Sequence, residues 1–129
     1  MEFTFTIPGA PRTKKNHSRI VWAGNRPRLI PSAAHEEWYN AALWEIKRAL
    51  RLHDFVALPI ACDVNVQATF YRDRNIGDAN GYYQALADLL EKACVLKNDR
   101  QIVSWDGSRL KKDAENPRIE VSIQEVLGD

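Results

Sequence analysis

The chain has 129 residues, of which 45% are hydrophobic, and a formal net charge of +1. This length suits one domain with its own hydrophobic core. No apolar run is long enough to cross a membrane, and residues 1–7 lack the apolar segment of a signal peptide, so we expect a soluble intracellular protein. Cys62 and Cys94 belong to no CxxC or Cys/His cluster, which argues against a zinc site, and we expect both to be reduced core residues.

Residues 2–7 alternate between apolar and polar side chains, and this pattern predicts a half-buried strand. Pro8, Gly9 and Pro11 end it. A loop follows, and the turn signal at residues 23–25 predicts a small hairpin from Arg19 to Ile30.

The first third of the chain is strongly basic. Between Phe3 and His35 there is no acidic residue, whereas six cations fall there: Arg12, Lys14, Lys15, Arg19, Arg26 and Arg28. A basic segment on a balanced chain indicates a phosphate-rich ligand. A solvated polar loop is the alternative interpretation.

A long helix is predicted from Ser32, its N-cap, to about His53. The residues expected to face the core recur at helical spacing, and two tryptophans widen that face: Tyr39, Leu43, Ile46, Leu50, Trp38 and Trp44. The opposite side carries Lys47, Arg48 and Arg51, which we interpret as a solvated face in preference to a DNA contact.

Residues 61–71 alternate and predict a strand that buries one face. A second helix is predicted from Ala79 to Ala93, with Asp78 as its N-cap. Its buried stripe comprises Tyr82, Leu86, Leu89, Leu90 and Ala93, and its polar stripe comprises Asn80, Gln84, Asp88 and Glu91. Residues 101–112 and 117–124 are predicted to be strands. Together these elements predict one α+β domain over residues 1–129, a small mixed β-sheet packed with two main helices.

Two carboxylates stand at element boundaries in this scheme. Asp78 begins the second helix, and Asp99 lies in the turn before the next strand, twenty-one positions later. Carboxylate oxygens suit Mg²⁺, which assists phosphodiester hydrolysis. The alternative is that Asp78 is only an N-cap and Asp99 only a turn residue. Asp106 is a turn residue or a third acid, and Asp88 supports the site or is simply exposed.

The segment from Asp78 to Ile102 resembles the central motif of the RusA-type Holliday junction resolvases, the crossover junction endodeoxyribonucleases common in phages and prophages. That motif reads D-x-D-N-x-x-K-x-x-x-D-A-L, then A-G-V, then D-D-x-Q-[IV]. The chain reads DANGYYQALADLL, then ACV, then NDRQI, without a gap. The segment PGAPRTKKN and the closing strand NPRIEV also resemble the family, so the similarity covers nearly the whole chain and implies a RusA-like fold.

The resemblance implies that three aspartates bind Mg²⁺, with Mn²⁺ as an alternative, and that a lysine assists catalysis. Asp78 and Asp99 match two of the acids, whereas Asn80 takes the place of the third and Gln84 that of the lysine. Asn80 offers a carbonyl oxygen without charge, and Gln84 cannot neutralise a phosphate. Lys14, Lys15 or Arg100 would replace the missing positive charge. A motif that starts at Arg72 is an alternative register, but it requires an insertion.

The function implied by the resemblance is Mg²⁺-dependent cleavage of four-way DNA junctions in recombination and repair. The expected protein is a homodimer, without a small-molecule cofactor or a membrane partner. It is expected in the cytoplasm of a bacterial host, encoded by the bacterium or by a phage. The cations expected to contact DNA are Arg12, Lys14, Lys15, Arg19 and Arg100. Trp22 and Trp105 would serve a dimer interface, a junction wedge or the core.

Two other hypotheses remain open. The changes at Asn80 and Gln84 fit a weakened or inactive protein that binds junctions without cutting them. The third hypothesis is a globular protein unrelated to nucleic acid, whose ligand binding would not weaken as salt rises.

Overall fold

The computed structural model describes residues 2–14, 18–31, 33–52 and 57–126. Within these ranges it describes only the backbone of residues 18–21, 23 and 28–31. Within these ranges the elements follow in the order β1 (Glu2–Pro8), β2 (Ser18–Ala23), β3 (Arg26–Pro31), α1 (Ala33–Arg51), β4 (Val64–Arg72), α2 (Ala79–Lys92), a 3₁₀ turn (Asp99–Gln101), β5 (Ile102–Ser104), β6 (Arg109–Lys112) and β7 (Arg118–Glu125). None of the described helices is long and apolar enough to cross a membrane.

The main sheet is mixed. Strands β1, β7 and β4 lie side by side and antiparallel, and the other edge of β4 pairs in parallel with β5 near its start and with β6 near its end. Helix α2 makes the parallel pairing feasible, because it returns the chain from the end of β4 to the start of β5. Strands β2 and β3 form a separate hairpin, as the turn signal predicted. The prediction of an α+β fold is confirmed.

One face of the sheet forms the core. The alternation in β1, β4 and β7 directs these side chains inward, each at most 9% exposed: Phe3, Phe5, Ile7, Val64, Val66, Ala68, Phe70, Ile119, Val121 and Ile123. The register sets Val66 and Phe3 opposite Ile123, so the three strands present one continuous apolar surface. The helices cover this surface, and the alternating residues predicted for these strands are confirmed.

Helix α1 begins and ends close to the prediction, but the buried face differs. The buried line runs through His35, Trp38, Ala42 and Ile46, whereas Trp44 is 64% exposed, so its predicted core role is wrong. Trp44 lies two positions from Ala42 and from Ile46, and two helical steps of 100° rotate a side chain to the opposite face. Tyr39, Leu43 and Leu50, predicted to face the core, lie at its margin.

The predicted strand over residues 101–112 is in fact two strands. The turn at Trp105–Ser108 interrupts it, and Gly107 there has a φ of 85°, which glycine adopts without strain. The Ser108 hydroxyl accepts from the Ala68 N–H at 3.0 Å and donates to the Val66 carbonyl at 3.1 Å. The Ser108 side chain thus supplies hydrogen-bond partners for the β4 backbone at the point where neither β5 nor β6 pairs with it.

Neither cysteine is a fully buried core residue. Cys62 is half-buried and Cys94 is exposed, and both are free thiols. Cys94 follows the end of α2 with a φ of 61°, where the chain turns away from the helix axis. The apolar pattern of the helix therefore stops one residue earlier, at Ala93.

Candidate active site

A cleft of about 460 Å³ lies between α1, α2, the loop after β1 and the 3₁₀ turn. Its lining residues are Lys14, His35, Tyr39, Asp78, Asn80, Gly81, Gln84, Ala85, Ala87, Asp88 and Asp99. Asp78, Asn80, Gln84 and Asp99, all predicted from the sequence, therefore line one cavity together with Lys14.

Asp78 begins α2 in the way that its predicted capping role requires. Its backbone is extended, with φ −105° and ψ 165°, and its Oδ1 accepts the Gly81 N–H at 3.0 Å. The capping bond satisfies one of the free amides of the first helical turn. The cleft therefore receives a carboxylate whose orientation is fixed by the helix that it starts.

Gly81 allows the loop after β1 to pack closely on this helix start. A Cβ at Gly81 would lie 3.1 Å from Asp78 Oδ1 and 3.2 Å from Thr13 Cγ2, and Thr13 is fully buried. The absence of a side chain lets the loop approach, and Lys14, next along the loop, reaches the cleft. The sequence contained this glycine within the motif, but its packing role depends on a residue far away in the chain.

The face of α2 towards the cleft carries polar side chains. Asn80, Gln84 and Asp88 follow at steps of four residues, and Asn80 and Gln84 are exposed. The opposite face, formed by Tyr82, Leu86, Leu89, Leu90 and Ala93, is buried, as predicted. The same amphipathic pattern that packs α2 on the sheet thus directs these polar groups into the cleft.

Asp99 lies at the start of the 3₁₀ turn and faces the middle of α2. A shallower cavity beside the cleft is lined by Asn80, Tyr83, Gln84, Ala87, Asp99, Ile102 and Trp105. Along the helix axis Asp78 comes about 9 Å before Gln84, at 1.5 Å per residue. Asp99 thus lines both cavities, whereas Asp78 lines only the cleft.

Gln101 fixes this turn to the rest of the fold. Its Nε2 donates to the carbonyls of Ile60, at 2.7 Å, and Cys62, at 2.8 Å, and its Oε1 accepts the Asn98 N–H at 2.9 Å. On the helix side, the Asp99 N–H donates to Glu91 Oε1 at 3.3 Å. The turn is thus attached both to the segment before β4 and to α2.

Gln101→Leu is expected to lower the free energy of unfolding by about 1–3 kcal/mol, because two partly buried carbonyls lose their donor. Denaturant unfolding monitored by circular dichroism measures the change. Arg100→Leu is the control, since Arg100 is exposed in the same turn and surface changes usually alter stability by less than about 0.5 kcal/mol. Equal stability of Gln101→Leu and the parent would contradict the role of Gln101.

Asp88 is a third carboxylate of the cleft. The Tyr39 hydroxyl donates to Asp88 Oδ2 at 2.7 Å, and His35 stacks on the Tyr39 ring with centroids 6.0 Å apart. Burial, and then the neighbouring Asp88 carboxylate, raise the pKa of Tyr39 well above its usual value, so the phenol remains a donor at physiological pH. Asp88 is therefore half-buried and hydrogen-bonded across to α1, and is not simply a surface residue.

The predicted DNA-binding cations have different surroundings. Arg12 donates to both carboxylate oxygens of Asp73, at 2.9 and 3.2 Å, and this pairing holds the pKa of Asp73 below its usual value. Lys14 lines the cleft, and Arg100 is exposed beside Asp99. Arg19 lies in β2, and Lys15 lies outside the described residues. The Arg12 charge thus holds the loop against the segment after β4.

Asp106 and Trp22 do not line the cleft, whereas Trp105 lines the shallower cavity beside it. Asp106 occupies the turn between β5 and β6, where its backbone N–H and carbonyl bond the Asn65 side chain. Trp105 stacks on Tyr83 with centroids 4.5 Å apart, and Trp22 is 68% exposed in the hairpin. Of the two roles predicted for Asp106, turn residue and third acid, its place in the β5–β6 turn fits the turn residue.

The candidate metal ligands of the cleft, namely the carboxylates of Asp78 and Asp99 and the Asn80 amide, all offer oxygen atoms. Such a set fits Mg²⁺, which keeps several of its waters, better than zinc, which favours nitrogen and sulfur. Among the described residues no group of three or more His, Cys, Asp or Glu side chains is placed to hold a metal. Any ion in this cleft would thus be bound by few protein charges.

The cleft brings together carboxylates, amides and a lysine, and these are groups that phosphodiester-cleaving enzymes use. The family model described as Endodeoxyribonuclease RusA matches residues 8–124, and the chain belongs to this family. A comparison with curated proteins found no match. RusA proteins are endodeoxyribonucleases that resolve Holliday junctions and bind branched DNA, and they generally depend on a divalent metal. The family predicted from the motif is confirmed.

Proposed function

We propose that residues 1–129 form a single RusA-like endonuclease domain that resolves four-way DNA junctions by metal-dependent hydrolysis of phosphodiester bonds. The observation that carries the proposal is the cleft itself. It gathers the positions of the family motif, Asp78, Asn80, Gln84 and Asp99, next to Lys14. The chain belongs to the RusA family, and this membership supports branched DNA as the substrate class.

In this proposal Asp78, Asp99 and the Asn80 amide oxygen hold Mg²⁺ or Mn²⁺. The bound ion would supply charge neutralisation on the phosphoryl oxygens and a more acidic water. The Gln84 amide donates a hydrogen bond to a phosphate oxygen, and Lys14 adds the positive charge that Gln84 lacks. Asp78 has a fixed direction because it caps α2, and Asp99 because Gln101 and Glu91 hold its turn.

We propose a homodimer that binds the junction through phosphate contacts, largely without reading sequence, from Arg12, Lys14, Lys15, Arg19 and Arg100. Arg12 also pairs with Asp73, and this pairing holds the loop that carries Lys14. The expected setting is recombination and repair in the cytoplasm of a bacterium, with a gene of phage or prophage origin.

A second function is favoured by the residues at two of the motif positions. Asn80 and Gln84 line the cleft where the family motif has an acid and a lysine. With two carboxylates in place of three, the cation would bind more weakly, and the protein would then bind junctions and cut them slowly or not at all.

Wild-type protein incubated with a labelled synthetic four-way junction tests the first function. We expect paired nicks that require Mg²⁺ or Mn²⁺, disappear with EDTA, and are absent from a linear duplex of the same sequence. Salt-sensitive binding to the junction without nicks under either metal would favour the second function. Failure to bind the junction at all would contradict both.

A further inference from the structure

Strand β6 carries a cluster of cations that the sequence analysis missed. Three of its four residues, Arg109, Lys111 and Lys112, are exposed. Within the described ranges β6 pairs with β4 and with no other strand, so its outer edge is open. The strand itself contains no acidic residue.

This edge is connected directly to the start of the cleft. The Arg72 guanidinium donates to the carbonyls of Lys111, at 3.3 Å, and Gly77, at 3.5 Å, and to Asn75 Oδ1 at 3.4 Å. Gly77 immediately precedes Asp78. The end of β6 and the start of α2 thus meet at one side chain, and exposed Arg74 adds a further cation to the same loop.

We propose that the β6 edge, defined by Arg109, Lys111 and Lys112, binds the phosphate backbone of a duplex DNA arm and positions it beside the cleft. The inference rests on the proposed function and adds a contact surface to it. Duplex DNA is the partner because exposed cations along an open strand edge suit the phosphates of a DNA backbone and make no selection among bases. Because Arg72 joins the end of this edge to Gly77, the residue before Asp78, a DNA backbone bound along β6 would lie close to the carboxylates of the cleft.

Cations on an edge strand have a second known effect, since they discourage another strand from pairing there. The salt dependence of binding separates the two roles. Each phosphate contact that is lost reduces the slope of log affinity against log salt by about 0.9. A strand-protecting role leaves that slope unchanged.

The test compares two triple variants in junction binding without cleavage, measured in EDTA over a series of salt concentrations. One is Arg109→Gln, Lys111→Gln and Lys112→Gln. The other removes the same charge from the exposed side of α1, by Lys47→Gln, Arg48→Gln and Arg51→Gln. We expect the β6 variant to lose about two to three units of slope and at least about tenfold in affinity at low salt, and the α1 variant to retain the wild-type slope.

An unchanged slope in the β6 variant, or equal losses in the two variants, would overturn the inference. If the triple β6 variant does not stay folded and monodisperse, the single change Arg109→Gln is expected to lose about one unit of slope, and no loss would again overturn it. Wild-type protein that binds no junction would instead contradict the proposed function, so the two failures are distinguishable.

Discussion

Asp99→Asn and Asp78→Asn are each expected to lower the rate of junction cleavage by about a hundredfold or more while junction binding is retained. Each change removes one of the two carboxylates proposed to hold the metal, and an amide oxygen brings no charge. Single-turnover cleavage of a labelled junction measures the rate, and a gel-shift assay measures binding.

Both changes should leave the fold intact. Asn caps helices about as well as Asp, so the Gly81 N–H keeps an acceptor in Asp78→Asn. Asp106→Asn is the matched control, because Asp106 is exposed in the turn between β5 and β6 and interacts with Asn65 through its backbone. Wild-type rates in Asp78→Asn or Asp99→Asn, or an equal loss in Asp106→Asn, would contradict the assignment.

The double change Asn80→Asp with Gln84→Lys is expected to raise the cleavage rate by about tenfold to a hundredfold. The new carboxylate strengthens cation binding, and the new ammonium neutralises charge on the phosphate, an effect commonly worth a few kcal/mol of barrier. Both side chains line the cleft and are exposed, so the changes require no repacking of the core. Cleavage measured over a range of Mg²⁺ concentrations should also saturate at a lower concentration.

Asn116→Asp with Gln67→Lys introduces the same two charges away from the cleft, at exposed positions. This control should cut at the wild-type rate. If the cleft variant binds Mg²⁺ more tightly but remains as slow as the wild type, the missing acid and lysine do not limit catalysis. An equal gain in the control would point to a general effect of charge.

The sequence predicted the elements whose pattern is local. Strands β1, β4 and β7 alternate along their length because one sheet face is buried, and α2 repeats its apolar residues every three or four positions. Asp78 was recognisable as an N-cap from its place before the apolar stripe, and the structure confirms that role. The family could be identified because its motif lies within one continuous segment.

Features that depend on residues distant in the chain could not be predicted. The pairing of Arg12 with Asp73, the Tyr39–Asp88 hydrogen bond and the close approach of Thr13 to Gly81 join segments that only the fold brings together. The hydrogen bonds of Ser108 to the β4 backbone are contacts of the same kind. The position of Trp44 could not be predicted either, because a large apolar residue contributes to a helical pattern even when it is exposed.

A crystal soaked in Mn²⁺ tests the central claim most directly, since the anomalous signal locates the ion without assuming its ligands. We expect a peak in the cleft within coordination distance of carboxylate oxygens of both Asp78 and Asp99. A peak that contacts only one of them, or a cleft without a peak while Mn²⁺ binds elsewhere on the protein, would contradict it.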